Sequence, residues 1–162
     1  MILLRYDLEQ VRVIPAKKGD VTYREGVWHV FNENLAANIN THEPVPYENH
    51  CKWWETVFEN EYVYIILYQS SMCGYIRLTK NKTSSKEKSL ISIALTKKFH
   101  HFGIGTYAYK LFEAYMKEKG VNQIIALTLL SNKIGQEFFE KNNFKMTGID
   151  KGNNFKKYIK KL

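Results

Sequence analysis

The chain has 162 residues, enough for one domain with a real interior and too few for several. A hydrophobic content of 44% fits a soluble globular chain, no apolar run approaches membrane-spanning length, and Met1 to Arg5 is too short an apolar start for a signal peptide. The formal charge of +8, from 24 basic and 16 acidic residues, suggests an anionic partner (nucleic acid, a membrane surface or a phosphorylated ligand), with surface lysines that only keep the chain soluble as the plain alternative.

Taken in order, residues 1–10 have no clear period and add a short strand or an arm. Val11 and Val13, on the approach to Pro15, predict a first strand. Gly19-Asp20 opens a helix with Asp20 as N-cap; Val27, Trp28, Val30, Phe31, Leu35 and Ile39 recur at helical spacing, with a break near Asn34. Two prolines make Thr41 to Pro46 a loop. A second helix follows from Tyr47 to Glu59, with Trp53, Val57 and Phe58 as its buried side. Tyr62 to Tyr68 is an almost unbroken apolar run, the pattern of a strand buried on both faces. Ser70-Ser71 turns the chain and Met72 to Thr79 returns, before a polar hairpin loop from Lys80 to Lys88.

From Leu90 to Thr96, apolar Ile91, Ile93 and Leu95 alternate with Ser92, Ala94 and Thr96, as in a half-buried strand. A long helix from Ile104 to Lys119 carries Tyr107, Ala108, Leu111, Phe112 and Tyr115 on its apolar stripe and ends at Gly120. A strand from Ile124 to Leu130 leads to a helix from Asn132 to Asn142, capped by Ser131 or Asn132. Phe144 to Ile149 and Phe155 to Ile159 close the chain as paired strands around Gly152-Asn153-Asn154, with Lys156-Lys157 and Lys160-Lys161 read as a solvated tail. There is no repeat and no linker, so residues 1–162 read as a single domain with a mixed α/β sheet.

The stretch around Gly103 carries the chemistry. Gly103-Ile104-Gly105 joins a strand directly to a helix, so the backbone can approach a ligand closely. The first helical N–H groups lack internal partners and, with the helix dipole, form an anion site suited to a pyrophosphate. A tight turn is the plain alternative. No Gly-Lys-Ser/Thr follows, which excludes a Walker loop, and the third glycine of a dinucleotide fingerprint is missing.

His100-His101-Phe102-Gly103-Ile104-Gly105 resembles motif A of the GCN5-related N-acetyltransferases (GNAT), Gln/Arg-x-x-Gly-x-Gly/Ala, with His100 where Gln or Arg is usual. Asn132 to Phe144 resembles the family's Asn-x-x-Ala…Tyr-Glu-Lys-x-Gly-Phe helix, with Gly135 for Ala, Phe139 for Tyr and Asn143 for Gly. The resemblance runs from about Val11 to Tyr158 and implies the GNAT fold: a splayed mixed sheet of about six to seven strands flanked by about four helices. It implies acetyl-CoA as co-substrate, with the pantetheine arm in the gap between two splayed strands. Leu95, His100, His101, Phe102, Gly103, Ile104, Gly105, Thr106, Asn132, Lys133 and Phe139 are the cofactor-binding positions it implies.

Transfer to an amine needs a polarised carbonyl, a neutral amine and a proton for the leaving thiolate. The family's common base, a Glu, falls at Leu127, and its common acid, a Tyr, at Phe139. Ser131 and His50 are the substitutes proposed as catalytic residues; for Ser131 and Asn132 the alternative is helix capping, and Thr128 is a further polar candidate that strand packing also explains. Asn32, with Phe31 before it, and His50-Cys51-Lys52-Trp53-Trp54 resemble x-Arg-Asn…His-x-x-Trp-Phe of GNAT enzymes acting on nucleotide-linked amino sugars, such as those of pseudaminic acid biosynthesis. That makes Asn32, His50 and Trp53 acceptor-binding candidates, and His42 joins them because the loop between the first two helices covers the acceptor in the GNAT fold that the resemblance implies; packing of the second helix is the competing use of His50 and Trp53.

The expected function is acetyl-CoA-dependent N-acetylation of a primary amine, favouring a nucleotide-linked amino sugar. A protein, peptide or other small amine is the alternative acceptor, and a non-catalytic acyl-CoA-binding module the alternative role. No metal, nucleic acid or membrane partner is expected, since no basic stripe with interleaved aromatics lies on one element. A homodimer is left open. Cys51 and Cys73 lie far apart without a Cys-x-x-Cys pattern and read as reduced thiols in a cytoplasmic protein, and Asn81-Lys82-Thr83 is discounted as a glycosylation site.

Overall fold

The computed structural model describes residues 6–81 and 89–162. The stretch from Lys82 to Lys88, with most of the expected hairpin loop and of the Asn81-Lys82-Thr83 pattern, lies outside the described residues, as does Met1 to Arg5. In chain order the elements are β1 (Val11–Pro15), α1 (Val21–Glu33), α2 (Tyr47–Asn60), β2 (Glu61–Tyr68), β3 (Ser71–Thr79), β4 (Ile91–Leu95), α3 (Ile104–Glu118), β5 (Gln123–Leu129), α4 (Lys133–Lys141), β6 (Lys145–Asp150) and β7 (Phe155–Lys161). Leu8–Gln10, Leu35–Ala37 and Lys97–Phe99 form short 3₁₀ turns.

β1 to β4 pair antiparallel in sequence order, and β5, β7 and β6 form a second antiparallel sheet in that order. A parallel bridge between Leu90 and Ile125 joins the two, with the Ile125 N–H donating to the Ser89 carbonyl at 2.8 Å. Beyond the bridge β4 and β5 run on towards Leu95 and Leu129 without a ladder between them. This is the mixed, splayed sheet expected from the sequence.

Two apolar clusters lie on opposite faces. α1 and α2 bring Val27, Val30, Trp54 and Val57 against Val63, Ile65, Leu67 and Tyr75. α3 and α4 bring Ile104, Ala108, Tyr109, Phe112, Met116 and Phe139 against Ile76, Leu78, Ile91, Ile124, Ala126 and Tyr158.

The structure corrects several local expectations. Asp20 precedes α1, but its carboxylate accepts the Lys17 N–H at 2.9 Å and ties the preceding turn, leaving the helix without a side-chain cap. α2 buries His50, Trp54 and Val57, while Trp53 and Phe58 are half-buried. The stripe of α3 is rotated: Ile104, Ala108, Tyr109, Phe112 and Met116 face the core, and Tyr115 is exposed. α3 ends as expected, with Gly120 at φ +82° and the Val121 and Gly120 N–H groups closing on the Met116 and Lys117 carbonyls. The C-terminal lysines are not a tail. They form β7, the middle strand of its sheet.

Candidate active site

β4, the turn after it and the start of α3 build one end of the gap. The Thr96 N–H donates to the Cys73 carbonyl and the Leu90 carbonyl accepts from Thr79, so even-numbered residues of β4 turn their backbone towards β3. Alternation then turns the N–H and C=O groups of Ile93 and Leu95 into the gap. On β5, Asn122 and Leu130 bond to the β7 side through Leu162 and Asn154, which turns the backbone of Leu127 into the same gap from the other wall. The Leu95 carbonyl is already engaged, accepting from His100 Nε2 at 2.9 Å and Asn34 Nδ2 at 3.1 Å. Its N–H is the group on that residue left to face the gap.

The turn itself has the geometry that glycine permits. Gly103 stands at the N-cap of α3 with φ +81°, and His101 is also left-handed at φ +69°. The Gly103 carbonyl accepts from Tyr107 at 3.1 Å, and the N–H groups of Ile104, Gly105 and Thr106 begin the helix without intrahelical partners. A Cβ on Gly105 would sit 3.4 Å from both Leu95 Cδ1 and Phe138 Cε2, so this glycine lets α3 lie close to the gap wall. The Thr96 hydroxyl is buried at the entry to the turn with no hydrogen-bond partner among the described residues. Free helical N–H groups, a left-handed glycine and an orphaned hydroxyl fit the phosphate end of coenzyme A. Phe102 and His101 are exposed beside them, whereas Ile104 is fully buried.

At α4, Asn132 Oδ1 accepts the Gly135 N–H at 3.0 Å, so Asn132 is the helix cap and Ser131 stands exposed before it. Lys133 is exposed. Phe139 is 6% exposed and packs on Phe144 and Tyr158, with ring centroids 5.0 and 6.3 Å away. It is a core ring; the aromatic ring beside Gly105 is Phe138. The Thr128 hydroxyl is buried with no hydrogen-bond partner among the described residues, on the α3 side of β5.

The acceptor candidates on α1 and α2 are mostly committed to holding the loop between these helices. Asn32 clamps Val45, accepting its N–H at 3.0 Å and donating to its carbonyl at 3.3 Å. Trp28 Nε1 donates to the same carbonyl at 2.6 Å. His42 is exposed and bonds through Nδ1 to the Leu35 carbonyl at 3.1 Å. His50 is 5% exposed, and its Nε2 lies 2.7 Å from the Arg24 carbonyl. A carbonyl only accepts, so Nε2 carries the proton. Burial pushes the His50 pKa down, with the nearby guanidiniums of Arg24 and Arg77 adding to it against the hydrogen bond. Trp53 lies under the Arg77 guanidinium, 4.8 Å from its ring centre. Asn32, His50 and Trp53 therefore pack the helices on each other and on the sheet.

Sequence reasoning missed Asn34, which ties the end of α1 to the Leu95 carbonyl, and Phe138 beside Gly105. It also took Lys156-Lys157 and Lys160-Lys161 for a solvated tail although a strand was expected at Phe155 to Ile159; in β7 these lysines divide between the two faces of the sheet. Among the described residues no group of His, Cys, Asp and Glu is placed to hold a metal ion, and no helix is long and apolar enough to cross a membrane.

Residues 27–144 match the model of the Acetyltransferase (GNAT) family. The chain belongs to that family. An acetyltransferase from Thermus thermophilus superposes with a TM-score of 0.77 at 17% identity, covering 98% of this chain and 100% of that one. RimL, a ribosomal alpha-N-protein acetyltransferase in complex with coenzyme A, gives 0.75 at 14%, covering 94% of each chain. A ribosomal-protein-alanine N-acetyltransferase from Brucella melitensis gives 0.72 at 16%, covering 93% and 99%. These likenesses establish the shared fold. Among curated proteins no sequence match is found. The enzyme is an N-acyltransferase of the GNAT type, and acetyl-CoA is the co-substrate of its family.

Proposed function

We propose that residues 1–162 act as one acetyl-CoA-dependent acetyltransferase domain whose acceptor is the primary amine of a protein or peptide. The observation that carries the first part is the Gly103 turn, which opens α3 at the mouth of the β4–β5 gap. Acetyl-CoA supplies an activated thioester. The first-turn N–H groups of α3 hold its pyrophosphate, and the gap-facing backbone of Ile93, Leu95 and Leu127 aligns its arm. The amine attacks in its neutral form; the nitrogen–carbonyl bond forms, the carbon–sulfur bond breaks, and the proton lost by the amine ends on the sulfur. Leu127 cannot take a proton and Phe139 is buried in the core, so water takes it from the amine. Ser131 is the exposed hydroxyl proposed to return it to the sulfur. His50 is not proposed for this role, because its Nε2–H is held by Arg24 between two helices.

Two features support a protein or peptide amine. Among the described residues the core cluster that α1 and α2 form includes no residue of β5, β6 or β7, so the face of that sheet beside the gap suits an extended acceptor, and two structural neighbours bear names of ribosomal-protein acetyltransferases. The nucleotide-linked amino sugar rested on Asn32, His50 and Trp53, and these are engaged in packing and loop clamping. We place the enzyme in the cytoplasm on the strength of its two free cysteines, Cys51 and Cys73.

The test is thiol release from acetyl-CoA across a panel of peptides with free α-amines, polyamines and UDP-linked 4-amino sugars. Turnover is expected with peptides. Turnover with the sugar alone, with UDP competing against it, would replace the protein-amine reading.

A further inference from the structure

The three-stranded sheet has two unlike faces. Cross-strand partners share a face, so Tyr158, Lys156 and Lys160 of β7 lie with Ala126, Thr128 and Ile124 of β5. α4 and α3 cover this side. Lys156 Nζ reaches Gln136 Oε1 at 3.1 Å, Lys160 Nζ reaches Glu113 at 2.7 Å, and the Tyr158 hydroxyl reaches Glu140 at 3.0 Å. On the other side Leu127 stands opposite Lys157, Ile125 opposite Ile159, and Lys145 of β6 beside Ile159. Ile125, Leu127, Ile159 and Lys157 are half-buried, while Lys145 and Lys161 are exposed.

This second face is an apolar strip set among lysines. Lys145, Lys157 and Lys161 have no ion-pair partner among the described residues, unlike the lysine of the covered face that meets Glu113. The acid nearest in register is Asp150, opposite Phe155 at the far end of β6, and its carboxylate is occupied by the backbone and side-chain N–H groups of Asn153 at 2.9 and 2.8 Å. The face also adjoins the reaction point. The Leu127 backbone lines the gap while its side chain belongs to this face, and Lys157 is its neighbour across the ladder.

We infer that the β5–β7–β6 face receives the residues that follow the acceptor amine and selects an acidic segment there. The inference rests on the protein-amine reading above. An amine placed in the gap beside Leu127 leads its chain over the apolar strip. Lys157 meets a carboxylate in the first residues after the amine, and Lys145 and Lys161, further from the mouth, meet later ones. At about 3.3 Å per extended residue, Lys161 lies about 13 Å along β7 from Lys157, so an acidic run of about four to five residues spans both. A carboxylate opposite these lysines gains attraction, whereas a basic acceptor meets three unpaired cations.

The test uses the full chain, acetyl-CoA and two peptides of equal length with the same first residue. One carries Asp and Glu in the next five positions and the other Asn and Gln. The acidic peptide is expected to have a KM about tenfold lower at low salt, a preference that shrinks as salt rises. The double variant Lys157→Glu/Lys161→Glu should abolish or reverse it. Lys52→Gln, an exposed lysine of α2, should leave it unchanged. Thermal melts of each variant confirm folding, and Lys157→Gln, which only removes charge, serves if the double variant does not fold. Equal KM values for the two peptides in the unmodified enzyme overturn the inference and leave the protein-amine reading standing. If neither peptide is acetylated while a UDP-linked amino sugar is, the protein-amine reading falls and this inference falls with it.

Discussion

The two sheets of this enzyme are made from similar residues but are covered differently. In the β1–β4 sheet helices lie on both faces, and β2 buries five consecutive residues from Val63 to Leu67. In the β5–β7–β6 sheet helices cover one face. β5 alternates between buried and half-buried along most of its length, and β7 has one fully buried residue, Tyr158. The first sheet therefore behaves as scaffold. The second leaves the face proposed above for the acceptor, beside the gap proposed for acetyl-CoA. An antiparallel sheet covered on one side commonly leaves its other face to solvent.

The largest expected difference between the two sheets comes from one substitution made in each. A Cβ on Gly74 of β3 would overlap the Ala94 carbonyl and lie 2.9 Å from Leu95 Cα, both backbone atoms of β4 that cannot move alone. Gly148 of β6 has nothing within 4 Å of its Cβ position. Gly74→Ala should cost about 2–3 kcal/mol of stability, whereas Gly148→Ala should stay within about 0.5 kcal/mol of the parent. Urea unfolding of both variants measures this directly. Equal losses would mean that the second sheet is as tightly closed as the first.

A smaller effect is expected where the open sheet is fastened to its cover. Lys160 of β7 reaches Glu113 of α3 at 2.7 Å, with both side chains mostly buried. Burial works to raise the Glu113 pKa, but the hydrogen bond from Lys160 and the charges of Lys160 and Lys117 outweigh it and leave the carboxyl below its ordinary value of 4.5. Lys160→Met should cost about 2 kcal/mol, the scale of a lost charge-assisted hydrogen bond. The sign on pH follows from the depressed folded value. The contribution is whole above the unfolded pKa and is lost as pH falls through the folded one. The variant should therefore show a flatter loss of stability in acid than the parent, read from unfolding midpoints on either side of pH 4.5.

At the mouth between the sheets the effect falls on ligand affinity. Gly103 has φ +81° and room for a side chain, since the nearest atom to its Cβ position is Leu8 Cδ1 at 3.7 Å. The cost of Gly103→Val is thus one of backbone strain, about 1–2 kcal/mol. Loss of the turn should weaken acetyl-CoA by about tenfold in calorimetry on the folded variant, with Gly103→Asn, which tolerates the left-handed region, nearer the parent. Unchanged affinity in both would remove the turn from the binding site.

The sequence revealed the elements whose residues have a single job. The strand at Ile91 and the glycine turn are legible because alternation and backbone freedom each leave a local mark. What it hid depends on contacts between distant segments. Asn132 and Ser131 look alike in sequence, and their roles divide only when Gly135 comes into reach. Phe138 and Phe139 are neighbours, and which ring faces Gly105 depends on how α4 is rotated over the sheet. The Asn32, His50 and Trp53 pattern matched an acceptor motif, yet in space its polar atoms meet Val45 and Arg24 of the same chain. Lys156-Lys157 and Lys160-Lys161 look like a solvated tail in sequence because Phe155, Tyr158 and Ile159 show no period of two; pairing with β5 and β6 is what places them in the sheet.

The smallest effect concerns how the cover of the first sheet is fixed. His50 of α2 donates from Nε2 to the Arg24 carbonyl of α1 at 2.7 Å and lies beside Trp53 and Trp54. Burial holds its pKa below the ordinary value of 6.5. The unfolded chain takes up this proton near 6.5, and the folded protein only at lower pH. Between the two values the unfolded state binds more protons, so stability rises with pH there and falls on acidification. Its full contribution is present above pH 6.5 and is lost as pH drops through the folded pKa. His50→Gln keeps an N–H donor at the end of the side chain and removes the titration. The difference in unfolding midpoint between parent and variant should therefore change with pH between about 5 and 8, the parent losing ground on the acid side. A difference that stays flat across the range would show that His50 is protonated as readily in the folded enzyme as in the unfolded chain, and would free it for the acceptor site.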